Sequence, residues 1–334
     1  MKRFRVCFIG FGNVGRALAR LLVAKTGELR ESYGIEWETV GVATRRMGWR
    51  ASGEAIDVAA LLAGNDETPA HDGIDKFLAI ARPDVVFETT SLNPENGQPA
   101  IEYLRASLKS GAHTITANKA PIVYAFAELN DIARAQGKRF LFESTVMDSA
   151  PVFSLFRETL PAVKIRGFSA VFNSTTNIIL ETMEAGRSFA EGVKAAQELG
   201  VAETDPSHDV DGWDSVMKVC AVARVILKTP LLPHAVRREG IRGLDPRTLQ
   251  AARAEGKPYK LLTRAVVSAD GSVSAVVRPE QIAVTDPLGN VRGTSLAIHF
   301  ELDTIPGLTI VSHRPNLQST AHGLLADFVN AVRE

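Results

Sequence analysis

An aspartate and a lysine lie four residues apart in an apolar segment of the chain. Asp214 and Lys218 fall within residues 213–227, where apolar side chains repeat at helical spacing along the opposite side. Four residues apart, they are neighbours on the helix surface, and a solvated pair of this kind contributes only roughly 0.3–0.5 kcal/mol. Ala221 and Val222 continue their side, however, so it is not a plain solvent face. A lysine fixed by an aspartate can donate a proton to a developing alkoxide, as a carbonyl reductase requires.

An acidic loop precedes this helix. Five carboxylates occur within twelve residues: Glu203, Asp205, Asp209, Asp211 and Asp214. They allow three interpretations: a divalent-metal loop, a solvated surface loop, or a pocket whose carboxylates pair with a substrate ammonium. The spacing lacks the carboxylate order and glycine placement of a calcium loop. His208 is a candidate general base in the same loop, although a surface histidine is the simpler interpretation.

A glycine pattern follows the first apolar run of the chain. GFGNVG stands at residues 10–15, and residues 16–22 repeat at helical spacing, which predicts strand, tight turn and helix. Gly10 would permit the sharp turn, Gly12 would let a pyrophosphate approach the backbone, and Gly15 would let helix and strand pack closely. The helix N-terminus, with Asn13 and Val14 in its first turn, would point free N–H groups at the phosphates. This stretch predicts dinucleotide binding.

The end of the second predicted strand bears on the choice of nucleotide. Residues 36–42 are predicted as a strand, and Thr44, Arg45 and Arg46 follow it. An acidic residue here would hydrogen-bond the ribose 2′-hydroxyl of NAD, whereas arginine suits a 2′-phosphate. The sequence therefore favours NADP over NAD. The alternative is a solvated basic turn.

Polar residues also follow later strands of the same predicted sheet. Thr90 ends the strand predicted at residues 84–90 and Ser91 follows it, while Lys119 comes after the strand at 113–117. Ligands bind at the carboxyl ends of parallel strands, so these residues are candidates for cofactor contact. A lysine at such a place is more commonly a solvated loop charge.

The order of strands and helices indicates how these residues are positioned. Up to residue 143, strands alternate with helices of about 10–15 residues, which predicts an α/β fold with a Rossmann-type, doubly wound parallel sheet. We predict a first domain at 1–147, completed by 312–334, and a second, α+β domain at 148–311 with an open mixed sheet. Residues 231–265 are predicted as connecting helices, and 272–277, 281–284, 296–302 and 308–311 as strands.

Composition limits the remaining classes. Lysine plus arginine and aspartate plus glutamate number 38 each in 334 residues, so no net field attracts nucleic acid or a membrane surface. The apolar run at the start ends at Ile9, too short for a signal peptide, and no run of about 20 apolar residues would span a membrane. Cys7 and Cys220 lie in apolar runs, which fits reduced cysteines and a cytoplasmic location.

Several stretches together resemble the homoserine dehydrogenase family. They are GFGNVG at 10–15, TANKAP at 116–121, ESTVMD at 143–148, NSTTN at 173–177, and AETDP at 202–206 with the run to Asp214 and Lys218. The resemblance covers about residues 4–300. It implies NAD(P)-dependent interconversion of L-homoserine and L-aspartate 4-semialdehyde in threonine and methionine biosynthesis, and a homodimer formed through strands of the second domain. The regulatory domain of longer members is expected to be absent, because 334 residues leave no room for it.

The resemblance also implies roles for individual residues. Lys119 and Lys218 are expected to be catalytic, with Asp214 orienting Lys218 and Lys119 also near the cofactor. Glu203, Asp209 and Thr175 are expected to bind the amino acid substrate. A monovalent cation such as Na⁺ is expected on backbone carbonyls of a further set: Glu143, Val146, Asp148 and Ala150.

Three departures from the family pattern leave alternatives open. Val201 stands where the family usually has a tyrosine, and Ala120 where many members have glycine. The family's Gly-Ala-Gly segment is replaced by SHRPNLQ at residues 312–318. A dehydrogenase for another small amino or hydroxy acid is therefore a second hypothesis. A nucleotide-binding sensor without turnover is a third, which the retained Lys119, Asp214 and Lys218 oppose.

Overall fold

The computed structural model describes residues 1–333 and divides the chain into two compact units. The first comprises Met1–Ser149 and the chain from Asn316 onward, and the second comprises Ala150–Pro315. No helix among the described residues is both long and apolar enough to cross a bilayer.

The elements up to residue 149 alternate between strand and helix. In chain order they are β1 (Lys2–Ile9), α1 (Asn13–Tyr33), β2 (Ile35–Thr44), β3 (Gly48–Ala51), α2 (Val58–Ala63), β4 (Ala70–His71), α3 (Gly73–Ala81), β5 (Val85–Glu88), α4 (Ala100–Lys109), β6 (His113–Thr116), α5 (Lys119–Ala135), β7 (Phe140–Leu141) and α6 (Ser144–Met147).

The rest of the chain is richer in antiparallel strands. A π-helical turn at Leu155–Thr159 precedes β8 (Ile165–Val171), α7 (Ser174–Glu184), α8 (Phe189–Glu198), α9 (Ser207–Val210), α10 (Trp213–Val225), a short 3₁₀ turn at Pro233–Ala235, β9 (Arg237–Arg238), α11 (Pro246–Ala254), β10 (Tyr259–Val267), β11 (Val273–Gln281), β12 (Leu296–Leu302), β13 (Leu308–Ser312) and α12 (Leu317–Val332).

The first unit has a seven-stranded sheet in the order β4-β3-β2-β1-β5-β6-β7. The five strands from β2 to β7 in this order run parallel, which confirms the Rossmann-type prediction, whereas β3 and β4 join antiparallel. Phe8 of β1 stacks on Phe87 of β5 at 5.4 Å between ring centroids. Phe87 in turn contacts Phe328 of α12 at 5.9 Å. The end of the chain thus packs into the core of the first unit.

The second unit has a six-stranded sheet in the order β13-β12-β8-β10-β11-β9. Every pairing is antiparallel except β9 with β11, so the predicted mixed sheet is confirmed. β8 runs into Asn173 and then α7, while α10 packs against β10 and β11. These connections bring the start of α7 and the side of α10 together.

Two element predictions in this region were wrong. Tyr259–Val267 is strand β10 rather than part of a helical connection, and β11 extends to Gln281 where a separate strand was predicted at 281–284. β10 is a central strand with Leu261 and Leu262 buried on opposite faces. Burial on both faces removes the polar–apolar alternation by which a half-exposed strand is recognised.

Candidate active site

Lys218 is buried on α10 and paired. Its side chain is 11% exposed, and Nζ lies 2.9 Å from Asp214 Oδ2. Nζ also donates a hydrogen bond to the Phe172 carbonyl at 2.6 Å. Helical spacing makes the aspartate a neighbour, and packing of α10 on the sheet removes both from bulk water. The pair is therefore an oriented, desolvated ion pair rather than a solvated surface one.

Asn173 joins this pair to a second carboxylate. Its Nδ2 donates to Asp209 Oδ1 at 2.7 Å and to Asp214 Oδ2 at 3.0 Å. Its Oδ1 accepts the backbone N–H of Thr176 at 2.8 Å and so caps α7. One side chain thus starts a helix and bridges two acids from other elements.

Asp209 lies in a polar but largely desolvated setting. Burial raises the pKa of its carboxyl, and the charge of Asp214 raises it further. The hydrogen bond from Asn173, the nearby hydroxyl of Thr175 and the positive charge of Lys218 act in the opposite direction. The Thr175 hydroxyl donates its single proton to the Val201 carbonyl at 2.7 Å. The structure therefore brings together four of the predicted residues: Lys218, Asp214, Asp209 and Thr175.

The other acidic residues of the loop lie outside this group. Glu203 is exposed, and its carbonyl accepts a hydrogen bond from Gln197 Nε2 at 3.1 Å. Asp205 is exposed and Asp211 pairs with Arg242 at 2.6 Å. Among the described residues no cluster of three or more acidic, histidine or cysteine side chains is arranged for a metal. The loop is thus not uniformly solvated, because Asp209 is desolvated whereas Glu203 and Asp205 stay exposed.

In the first unit, each glycine of the dinucleotide pattern has its own steric requirement. Gly10 has φ +93°, and a Cβ there would lie 2.5 Å from the Thr89 carbonyl carbon. A Cβ at Gly15 would lie 2.7 Å from the Gly10 carbonyl oxygen, so helix and turn are in close contact. A Cβ at Gly12 would meet nothing within 4 Å. The turn is thus tightly packed at Gly10 and Gly15 but leaves open space at Gly12, where a bound pyrophosphate would approach the backbone.

The start of α1 leaves donors for such a ligand. α1 begins at Asn13 with Gly12 as its N-cap, and no side chain caps it. The first N–H groups of a helix, here including those of Asn13 and Val14, have no intrahelical partner. Asn13 is exposed, while Val14 packs partly against the core. The residues present therefore fit a dinucleotide.

The end of β2 lies directly beside this turn. The Gly10 N–H donates to the Ala43 carbonyl at 2.8 Å. The Thr44 hydroxyl accepts the N–H of Met47 at 2.9 Å and so closes the hairpin to β3. Arg45 and Arg46 at its tip are exposed. Two arginines thus follow the backbone contact with the glycine turn by two and three residues, and the Thr44 hydroxyl accepts a hydrogen bond within the hairpin.

Glu88 organises the ends of β5 and β6. This fully buried carboxylate accepts hydrogen bonds from the Thr90 hydroxyl and, at 2.6 Å, from the Thr116 hydroxyl. Burial raises its pKa, and the hydroxyl donors of Thr116 and Thr90 oppose that shift. The Thr116 hydroxyl accepts the N–H of Asn118, which caps α5 at Lys119. The positions of Thr90 and Lys119 are thereby coupled through one acid.

The remaining predicted residues are Ser91 and the four candidate cation ligands. Ser91 is exposed in the loop after β5. Glu143 directly precedes α6, Val146 lies within it, and Asp148 follows it with φ +56°. Ala150 is the first residue of the second unit.

Sequence reasoning missed Asn173 and Glu88 as site residues. Asn173 belongs to the NSTTN stretch that carries part of the family resemblance, but nothing local indicates that its amide reaches acids 36 and 41 residues away. Glu88 carried a signal, since an acid at the end of the apolar run VVFE is unusual for a buried strand.

Comparisons with known proteins agree across both units. Residues 151–329 match the homoserine dehydrogenase family model, and residues 10–143 match the model of the homoserine dehydrogenase NAD-binding domain. The NAD(+)-dependent homoserine dehydrogenase of Pseudomonas canavaninivorans is 32% identical, with 99% of this chain and 96% of the relative covered. Homoserine dehydrogenase of Methanocaldococcus jannaschii is 30% identical over 97% of each chain.

Solved structures give the same result. Homoserine dehydrogenase from Thiobacillus denitrificans superposes with a TM-score of 0.84 at 27% identity, over 99% of this chain and 73% of that one. A hyperthermophilic archaeal homoserine dehydrogenase in complex with NADPH superposes with a TM-score of 0.82 at 25% identity, over 99% and 98%. Because the family models cover both units and the relatives match nearly the whole chain, this chain belongs to the homoserine dehydrogenase family, whose members are nicotinamide-dependent oxidoreductases acting on a CH–OH group.

Proposed function

We propose that the protein interconverts L-homoserine and L-aspartate 4-semialdehyde, and that Lys218 handles the proton of the reaction. The observation that carries this assignment is the buried Lys218, held by Asp214 Oδ2 and the Phe172 carbonyl within one hydrogen-bond network that includes Asp209. A fixed ammonium can protonate an alkoxide as it forms, and the resulting amine can take the proton back in the oxidative direction.

The other residues are assigned either to the substrate or to the cofactor. The nicotinamide supplies or accepts the hydride at the substrate carbon. Asp209 offers a carboxylate to the substrate ammonium, and the Thr175 hydroxyl, already oriented by the Val201 carbonyl, offers a further contact. Glu203 is assigned to the same ammonium and would have to turn toward it from its exposed position. Lys119 is assigned to the cofactor end, where its position at the start of α5 supplies positive charge.

The cofactor loop is assigned to the pyrophosphate. The tight turn at Gly10, the open face at Gly12 and the uncapped start of α1 support this assignment. Thr90 and Ser91 follow β5, and the Thr89 hydroxyl donates to the Gly10 carbonyl at 2.9 Å, which holds that strand end beside the turn. We assign Thr90 and Ser91 to the edge of the bound nucleotide.

We further propose that NADP is preferred over NAD. One relative is named NAD(+)-dependent and another was solved with NADPH, so the preference is argued from this chain alone. The Gly10 N–H donates to the Ala43 carbonyl, and Arg45 follows that contact by two residues along the chain. Its guanidinium has no ion pair among the described residues and can meet a 2′-phosphate in a bidentate manner.

Arg45→Ala tests this preference. We expect NADPH affinity to fall about tenfold or more while NADH affinity changes little, because only NADPH carries the 2′-phosphate that a charge-assisted hydrogen bond would hold. Fluorescence titration with both cofactors measures the effect. Arg20→Ala, at an exposed arginine of α1, is the matched control. Equal weakening of both cofactors by Arg45→Ala would remove the 2′-phosphate assignment.

We also propose a homodimer formed through the sheet of the second unit. The register places Val266 of β10 and Val311 of β13 on the same sheet face, and both are exposed, at 54% and 37%. Exposed valines on a sheet face are candidate contacts of an association surface. Sedimentation of the wild type and of Val266→Asp measures this directly, and a monomeric wild type would contradict it.

A monovalent cation and a cytoplasmic location complete the proposal. The carbonyls of Glu143, Val146, Asp148 and Ala150 are the candidate cation ligands, and the left-handed backbone at Asp148 supports an unusual use of this segment. Equal activity in sodium and tetramethylammonium salts would contradict a bound cation. The cytoplasm fits the two free, buried cysteines.

Steady-state turnover with NADP(H) decides the substrate. Homoserine and aspartate 4-semialdehyde are assayed beside a panel of related amino and hydroxy acids. Clear turnover of another member, with none of these two, would favour the alternative raised by Val201 and by Arg314, whose φ of +49° is one that glycine adopts more readily. Tight NADPH binding without turnover of any substrate would indicate a sensor.

A further inference from the structure

Asn173 occupies a position that its helix-capping role does not explain. The side chain is 4% exposed and uses both ends of its amide. Oδ1 accepts the Thr176 N–H, and Nδ2 donates to Asp209 and Asp214. Serine, threonine and aspartate cap helices as well as asparagine does. Only an amide combines a capping oxygen with a donor for two carboxylates.

The cap also fixes which way the amide faces. Because Oδ1 must accept the Thr176 N–H, Nδ2 is directed at the two acids and cannot exchange places with the oxygen. The preceding residue contributes as well, since the Phe172 carbonyl accepts from Lys218 Nζ. Two consecutive residues between β8 and α7 therefore contact all three charged side chains of the network: Lys218, Asp209 and Asp214.

We propose that Asn173 is a positioning residue for the reaction: its amide ties the carboxylate of Asp209, which receives the substrate, to the carboxylate of Asp214, which holds Lys218. This inference rests on the proposed function and deepens it. Loss of the bridge would free both acids to rotate and to take up protons. The proton donor and the ammonium-binding group would then no longer be held in one geometry.

The charges around Asp209 explain why a bridge is needed. The charged groups that act on it are Asp214 and Lys218, both from α10. Asp211 of its own loop is engaged by Arg242. Like charges close together disfavour ionisation of both, and burial adds to the effect. A donor shared between the two acids stabilises their ionised forms. The hydrogen bond from Asn173 accordingly lowers the pKa of Asp209.

Asn173→Ser separates the bridge from the cap. Serine retains an oxygen for the Thr176 N–H but has no amide to span the acids. We expect kcat/KM for homoserine to fall about tenfold or more, and the acidic limb of its pH profile to move upward by about one to two units, because a hydrogen bond to a charged group is lost. Cofactor affinity should stay near the wild-type value, and the melting temperature should fall by a few degrees, because a carboxyl pKa raised in the folded state lowers stability at neutral pH.

Asn173→Asp and a capping control complete the experiment. Aspartate also caps the helix but sets a third carboxylate against the other two, so kcat/KM at neutral pH should fall below that of the serine variant. This variant decides the matter if the serine variant does not fold. Ser188→Ala removes the cap of α8 and should lower stability without moving the pH profile.

The outcomes are distinct. A pH profile and kcat/KM of Asn173→Ser equal to those of the wild type would reduce Asn173 to a helix cap and overturn the proposal, as would an unaltered Asn173→Asp. A wild type that turns over no homoserine would contradict the proposed function itself, and this role with it.

Discussion

Lys218→Ala is expected to lower kcat about 10²- to 10⁴-fold, the contribution typical of a positioned proton donor. Its ammonium is held by the Asp214 carboxylate and the Phe172 carbonyl. A water molecule would therefore not readily replace it as the proton donor. NADPH affinity should change little, because the glycine turn that we assign to the cofactor belongs to the other unit. Steady-state kinetics with separate cofactor titrations measure both quantities.

The control for this variant must separate chemistry from folding. Removing one partner of a buried ion pair leaves the other uncompensated and costs about 3–5 kcal/mol of stability. Thermal unfolding therefore accompanies the kinetics, and Lys194→Ala, at an exposed lysine of α8 paired with Glu198, is the matched substitution. A folded Lys218→Ala enzyme that loses cofactor affinity as strongly as turnover would show that Lys218 is wrongly assigned.

The glycine turn should give the second large effect, and its glycines should respond differently. Gly10→Ala forces a side chain into φ +93° and to 2.5 Å from the Thr89 carbonyl carbon, so the free energy of unfolding should drop by about 3 kcal/mol or more. Gly12→Ala meets no protein atom within 4 Å and should fold normally. Its methyl group would instead occupy the space that a pyrophosphate approaches, which should weaken NADPH about tenfold or more.

Thermal unfolding and cofactor titration of the two variants separate a structural glycine from a ligand-facing one. Gly27→Ala is the matched control, because a methyl group in this helical position of α1 also meets nothing within 4 Å. It should leave cofactor binding unchanged and stabilise the protein by about 0.5–1 kcal/mol. Wild-type NADPH affinity in Gly12→Ala would remove the pyrophosphate assignment from this turn.

Much of the first unit follows from local pattern. The alternation of apolar strands with helices, together with the turn at Gly10, is sufficient to predict a parallel sheet, and the structure has one. β3 and β4 were not recognised because four and two residues are too few for a period to emerge. They form through pairing of β3 with β2 and of β4 with β3, which depends on residues distant in the sequence.

In the second unit the sequence was less informative. The central strand β10 lacks alternation because both of its faces are covered over residues 260–263, and one of these residues, Lys260, is fully buried. Judged by residue type alone, a lysine in such a segment predicts an exposed side chain. In the structure its Nζ donates to Asn177 Oδ1 at 2.8 Å, so a partner 83 residues away accounts for its burial.

The sequence by itself determined the features that depend on short spacings. The strand–turn–helix at Gly10 and the pairing of Asp214 with Lys218 follow from backbone geometry over a few residues. Only the tertiary structure decided which acids of the loop join that pair. Asp209 is drawn in by the amide of Asn173, while Glu203 stays exposed. The reason is physical: a hydrogen bond between residues 36 positions apart exists only once β8, α7 and α9 have packed, and no local pattern encodes it.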